Sequence, residues 1–139
     1  MTDVRVDISS TPIEVTDHED FVARTHCGAV VSLAGVVRDH DNGRNVMGLE
    51  YSAHPSAEEV LAQVVQLAVS RWRLGGIAVT HRVGELAIGE PAFIVAVSSA
   101  HRDEAFDACR WLVDETKLQL PVWKRQRFTD GTSEWVNCP

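Results

Sequence analysis

The chain has 139 residues, with 13 lysine and arginine side chains against 20 carboxylates, and a formal net charge of −7. At 45% hydrophobic and 24% charged residues it reads as one globular domain spanning 1–139, long enough to bury roughly two-thirds of its unfolded surface. The acidic balance excludes general binding to nucleic acid or to an anionic membrane, both of which require a net basic face, while leaving room for a local cationic pocket.

The first residues, Met1-Thr2-Asp3-Val4-Arg5, lack the charged-then-apolar pattern of a signal peptide, and no apolar run is long enough to span a bilayer. Cys27, Cys109 and Cys138 are odd in number and have no metal-ligand spacing. The expectation is a cytoplasmic protein with no disulfide framework, no metal site and no resident cofactor.

In chain order, Val4, Val6 and Ile8 alternate with polar residues and predict a half-buried strand. Asp17 is placed to cap a short helix reaching about Arg24, with Phe21 and Val22 facing inward. Residues 28–38 form a nearly continuous run of small and β-branched residues, which predicts a buried strand ending in charge at Arg38. The polar segment 39–45 contains an Asn42-Gly43 turn signal, and 46–51 returns as a strand, so these two strands are expected to pair as a long hairpin-like unit. Ser56 and Glu59 have capping-box spacing before a helix whose apolar face holds Leu61, Val64, Val65, Ala68 and Trp72, with Gly75-Gly76 as its stop. Two further strands are expected over 77–83 and 92–98. A second long helix then begins near Ser99 or Ala100, with Ala105, Ala108, Cys109, Leu112, Val113 and Thr116 on one stripe. Pro121 ends it, a strand over 122–128 follows, Asp130-Gly131 turns the chain, and a last short strand covers 134–136. The sum is an α+β domain with two long helices covering one side of its sheets.

The candidate chemistry centres on Lys117 and Lys124. They are the only lysines in the chain; the eleven other cations are arginines. Arginine keeps its proton near neutral pH, whereas a crowded or partly buried lysine can exchange one. Lys117 falls in the last helical turn, which suits a cation through the helix dipole alone, and Lys124 follows in the next strand on the same side as Val122 and Gln126. Trp123 points the other way and is read as core. His101-Arg102 opens the second long helix, where free N–H groups could join them in an anion site or leave them a solvated first turn. Arg38, at its strand end, could enter a cleft or simply terminate the strand. His54 and His81 read as structural, His40 as solvated, and Cys109 as a small core residue.

Taken together, 28–38, Leu49-Glu50-Tyr51 with His54-Pro55, Val83-Gly84 with Gly89-Glu90, Ser99-Ala100-His101-Arg102, Lys117 spaced to Pro121-Val122-Trp123-Lys124-Arg125, and Trp135-Val136 make a specific set. In that order, over residues 12–136, the chain resembles the MoaE family, the large catalytic subunits of molybdopterin synthase. The resemblance implies an α/β-hammerhead fold with an antiparallel sheet and a homodimer of large subunits. Each large subunit binds a small ubiquitin-like sulfur carrier with a C-terminal Gly-Gly, giving a heterotetramer. It implies transfer of sulfur from the carrier's thiocarboxylate to cyclic pyranopterin monophosphate (precursor Z), forming the dithiolene of molybdopterin. By the same pattern Lys117 and Lys124 are catalytic. Arg38, His101, Arg102 and Arg125 bind substrate, some of them from the neighbouring large subunit. The chain departs from the pattern at Gln126, where many relatives are acidic, at Leu33, where an aromatic is frequent, and in a short C-terminal tail. Rival readings are a non-catalytic module that docks a ubiquitin-like partner and a cysteine-dependent sulfurtransferase.

Overall fold

The computed structural model describes residues 1–138. It contains β1 (Asp3–Ser9), α1 (Val15–Val22), β2 (Ala29–Val36), β3 (His40–Asp41), β4 (Arg44–Ala53), α2 (Ala57–Arg71), β5 (Gly76–Arg82), β6 (Gly84–Leu86), β7 (Pro91–Ser99), α3 (Arg102–Gln119), β8 (Val122–Phe128) and β9 (Ser133–Cys138). One sheet has the order β1-β5-β7-β2 and the other β3-β4-β8-β9, with β6 also paired to β4. All pairings are antiparallel except β1 with β5. None of the described helices is long and apolar enough to cross a membrane.

The first sheet carries the main core. Every residue of β5 is buried, as is nearly all of β7, because helices cover both faces. Ile77, Val79, Phe93, Val95 and Val97 pack on one face against the stripes Leu61-Val64-Val65-Ala68 of α2 and Ala105-Ala108-Leu112 of α3. The opposite face presents the small residues Ala78 and Ala96 to Val22 of α1. The expectation of helices on one side only is therefore corrected: the short α1 closes the other side, brought near by alanines that leave room for its backbone. Gly76 serves the same approach, since a Cβ there would lie 2.9 Å from the Val22 Cα. The glycine pair starts β5, while α2 has already ended at Arg71.

Four local expectations are also corrected. The strands over 28–38 and 46–51 do not pair with each other. β2 pairs with β7 and β4 with β8, so the chain changes sheets between Val36 and His40. The Asn42-Gly43 signal is genuine, with φ of 50° and 76°, but it closes only the tiny β3–β4 hairpin, Asp41 opposite Arg44. Nor is β2 a buried strand: it is an outer strand of its sheet, with Val30, Leu33 and Val36 37–50% exposed. The capping box at Ser56 does not form either, since the Ser56 hydroxyl lies 2.8 Å from His54 Nδ1 instead. Finally, α1 begins at Val15, so Asp17 sits in its first turn and Glu14 is the capping residue.

Candidate functional site

The two sheets and the end of α3 meet around a cavity of about 330 Å³. Lys117 enters from the last turn of α3, which Leu120 and Pro121 terminate, and Lys124 from β8 just beyond the turn. Along β8, Val122, Gln126 and Phe128 are buried on the face Lys124 shares, while Trp123 is 39% exposed on the other. Trp123 is thus not core, which corrects the sequence expectation: this strand buries only one face. Tyr51 stands directly across from Lys124 in the β4–β8 register and also lines the cavity. Arg38 reaches it from the segment after β2, with its guanidinium 3.5 Å from Asp41 at an exposed position.

The cavity is cationic. Arg38, Lys117 and Lys124 line it and no carboxylate does, although the chain as a whole carries a net charge of −7. Neither lysine has an ion-pair partner among the described residues. Such an arrangement suits a small anion, which would receive charge-assisted hydrogen bonds from more than one cation. A larger open depression of about 580 Å³ between β1 and α1 is unlike it, since Asp7, Glu14, Asp17 and Asp20 lie along its walls beside Arg5. Its one buried titratable ring, His18, is occupied: Nδ1 lies 2.7 Å from the Glu14 carbonyl and Nε2 2.7 Å from Thr80 Oγ1.

Three expected substrate contacts lie elsewhere in the chain. His101 and Arg102 stand exposed at the amino end of α3, with Lys117 at its carboxyl end; at 1.5 Å per residue about 22 Å of helix separates Arg102 from Lys117. Arg125 points to the opposite face of β8 from Lys124. It sits 3.6 Å from Glu50 and 5.7 Å from the Trp135 ring, with its Nε buried and without a partner among the described residues. Leu33 is also outside the lysine cavity, on a groove with Phe106 and Cys109.

His81, read from sequence as structural, is packed as such and also borders the pocket. A histidine inside an apolar strand gives no local sign of which cavity it borders. In the fold it is 3% exposed yet lines the lysine pocket, edge-on to Tyr51 at 4.8 Å and tilted against Phe93 at 5.7 Å. Burial pushes its pKa down to about 4, partly opposed by the hydrogen bond to the Arg82 carbonyl and reinforced by the charge of Lys117. At neutral pH the ring is uncharged. Thr116 was read only as a stripe residue, and it too lines the cavity.

Neither Cys27 nor Cys109 lines this site. Cys109 is buried and its thiol is raised to about 11 by burial, which leaves little thiolate at neutral pH. The Cys138 side chain lies outside what the structure describes. No group of three His, Cys, Asp or Glu residues able to hold a metal occurs among the described residues.

Residues 8–119 match the model of the family described as MoaE protein. An Arabidopsis thaliana molybdopterin synthase catalytic subunit is 38% identical over 120 residues, covering 86% of this chain and 61% of the relative. The subunit of the same name from Salmonella typhimurium is 40% identical over 140 residues, covering 99% and 93%. The crystal structure of molybdopterin synthase from Staphylococcus aureus superimposes with a TM-score of 0.86 at 32% identity, over 96% of both chains. Carrying the lysine pocket on this fold, the chain belongs to the MoaE family.

Proposed function

We infer that the chain is the catalytic subunit of a molybdopterin synthase, a transferase of molybdenum cofactor biosynthesis. It transfers sulfur from the thiocarboxylated C-terminus of a small ubiquitin-like carrier to cyclic pyranopterin monophosphate. The observation that carries this reading is the convergence of Lys117, Lys124 and Arg38 on one cavity without a carboxylate. Both reactants are anions, and an acidic protein brings two anions together only where its surface is locally cationic. Arg38 is suited to the phosphate, and a lysine to the acyl centre, where it can stabilise developing negative charge and exchange a proton.

The carrier's Gly-Gly tail enters the lysine cavity as an extended, side-chain-free segment, and its ordering cost is offset by contacts along the way. His101 and Arg102 join the substrate site from a second copy of the chain, because their own Lys117 lies a helix length away. The working assembly is therefore a dimer of large subunits with one carrier on each, acting in the cytoplasm. The buried, weakly ionising Cys109 argues against a cysteine-dependent route, so replacing all three cysteines with serine should leave turnover largely intact.

The direct test is incubation with a thiocarboxylated carrier and cyclic pyranopterin monophosphate, followed by assay for molybdopterin. Formation of the product supports the reading. Tight carrier binding without product, for several competent carriers, would leave a docking module in its place.

A further inference from the structure

The lysine cavity has a half that the anion contacts leave unused. His81 and Thr116 line it from β5 and α3. Thr116 is 1% exposed, and its Oγ1 has no hydrogen-bond partner among the described residues, not even the carbonyl one turn back along α3. A buried hydroxyl left so is costly, and in working proteins such groups are satisfied by a water molecule or a ligand. His81 offers the complementary valence. Its Nδ1–H donates to the Arg82 carbonyl 2.7 Å away, so Nε2 of the neutral ring bears the lone pair. Packing against Tyr51 and Phe93 fixes the plane of that ring.

Sulfur transfer from a thiocarboxylate makes a demand that the cations alone do not meet. When the sulfur bonds to a substrate carbon it is still bonded to the carrier's acyl carbon, and the product of that step is a thioester. Freeing the carrier breaks the acyl C–S bond, and another atom must bond to the acyl carbon in its place. We propose that His81 Nε2 and Thr116 Oγ1 hold the water molecule that supplies this atom, an assignment that rests on the sulfur-transfer reading above. The water oxygen attacks the acyl carbon, and the C–O bond forms as the C–S bond breaks with its electron pair left on sulfur. One water proton ends on that sulfur and the other leaves to solvent past Nε2, so the carrier departs as a carboxylate with no change of oxidation state. Lys117 and Lys124 face the oxyanion of the tetrahedral intermediate. An imidazole as weakly basic as His81 orients the water and passes its proton on; it does not store it.

Single-turnover reactions in ¹⁸O-labelled water test the assignment. The unsubstituted chain should release a carrier with one labelled oxygen in its terminal carboxylate. Thr116→Val, which keeps the shape and removes the hydroxyl, should form the carrier–substrate thioester at close to the normal rate. It should then release the carrier roughly 10- to 100-fold more slowly, so that the adduct accumulates and is seen by intact mass. His81→Asn should stall at the same point, and Thr116→Ser, which returns the hydroxyl, should restore release. An unlabelled carboxylate, release at the normal rate from Thr116→Val, or adduct formation slowed as much as release would overturn the water-holding role. The threonine series decides the matter even if His81→Asn misfolds. Should the unsubstituted chain form neither adduct nor molybdopterin, the sulfur-transfer reading itself fails and takes this role with it; normal turnover with unstalled variants removes this role alone.

Discussion

The two ends of α3 carry the same kinds of side chain to opposite effect. At the carboxyl end, Lys117 is itself exposed, but it lines one cavity with Lys124 and Arg38, walled by β2, β4, β5, β7 and β8. At the amino end, His101 and Arg102 are exposed and make no hydrogen bond or ion pair from their side chains among the described residues. A helix start offers free N–H groups and a positive dipole end, so by local rules it is the better anion site. The fold places the cationic cavity at the other end. Convergence decides where cations act together on one anion: distant strands and loops bring Lys124 and Arg38 to the cavity that Lys117 lines. A cation on an open helix end stays a solvated surface charge until something else closes over it.

The largest expected effect lies at the carboxyl end. Lys117→Ala should lower molybdopterin formation by roughly 10³-fold or more while carrier binding and the melting temperature stay near normal, and Lys124→Ala should cost roughly 10²-fold. Lys117→Arg keeps the charge but cannot give up a proton, so it should not restore turnover. Near-normal rates for that variant would reduce Lys117 to an electrostatic anchor.

Next in size is the test of whether the open end is completed by a second copy. Arg102→Ala and Lys117→Ala chains should each be weak alone. Mixed, unfolded and refolded together, they should recover about a quarter of the normal rate. Half of the randomly paired dimers are then mixed, and each mixed dimer holds one intact site out of two. No recovery, together with a monomeric mass in light scattering, would mean that the two ends of α3 do not cooperate.

A smaller effect is expected at the rim. Arg38→Ala should weaken cyclic pyranopterin monophosphate by roughly tenfold to hundredfold and leave the carrier's affinity nearly unchanged, because only a charge-assisted hydrogen bond is lost. The partly solvated position of Arg38 favours the lower figure. Titration calorimetry with each ligand separately distinguishes this from a general loss of binding.

The smallest effect concerns stability and not rate. His81 is held at about 4 in the fold, below its ordinary value near 6.5, and burial lowers His18 as well. Between those two pH values the unfolded chain binds the proton that the native His81 refuses. Stability is therefore full above about pH 6.5 and falls as the pH drops toward 4, by up to about 3 kcal/mol from His81. Urea unfolding at a series of pH values should show this slope, and His81→Asn should flatten it. An unchanged slope in that variant would place the acid sensitivity elsewhere.

The boundary of what the sequence determined runs along the distance over which each signal acts. Periodicity and breakers are local, and they were sufficient for the stripe from Ala105 to Thr116, for the stop at Pro121 and for β8 over Val122–Phe128 with Lys124 on the Val122 side. The rarity of lysine marked Lys117 and Lys124, and a single turn between helix and strand put both on one cavity. Strand partnership is not local: 28–38 and 46–51 looked like a hairpin because they are neighbours in sequence, yet β2 pairs with β7 and β4 with β8. Trp123 was misread for the same reason, and the cavity that the buried His81 borders was not legible either. Alternation along a strand says that its two faces differ, but which face meets the core and which borders a cavity is set by elements many residues away. Only the tertiary structure could turn His81 and Thr116 from core residues into the lining of a cationic pocket, because burial and the neighbourhood of charge are properties of the packed chain.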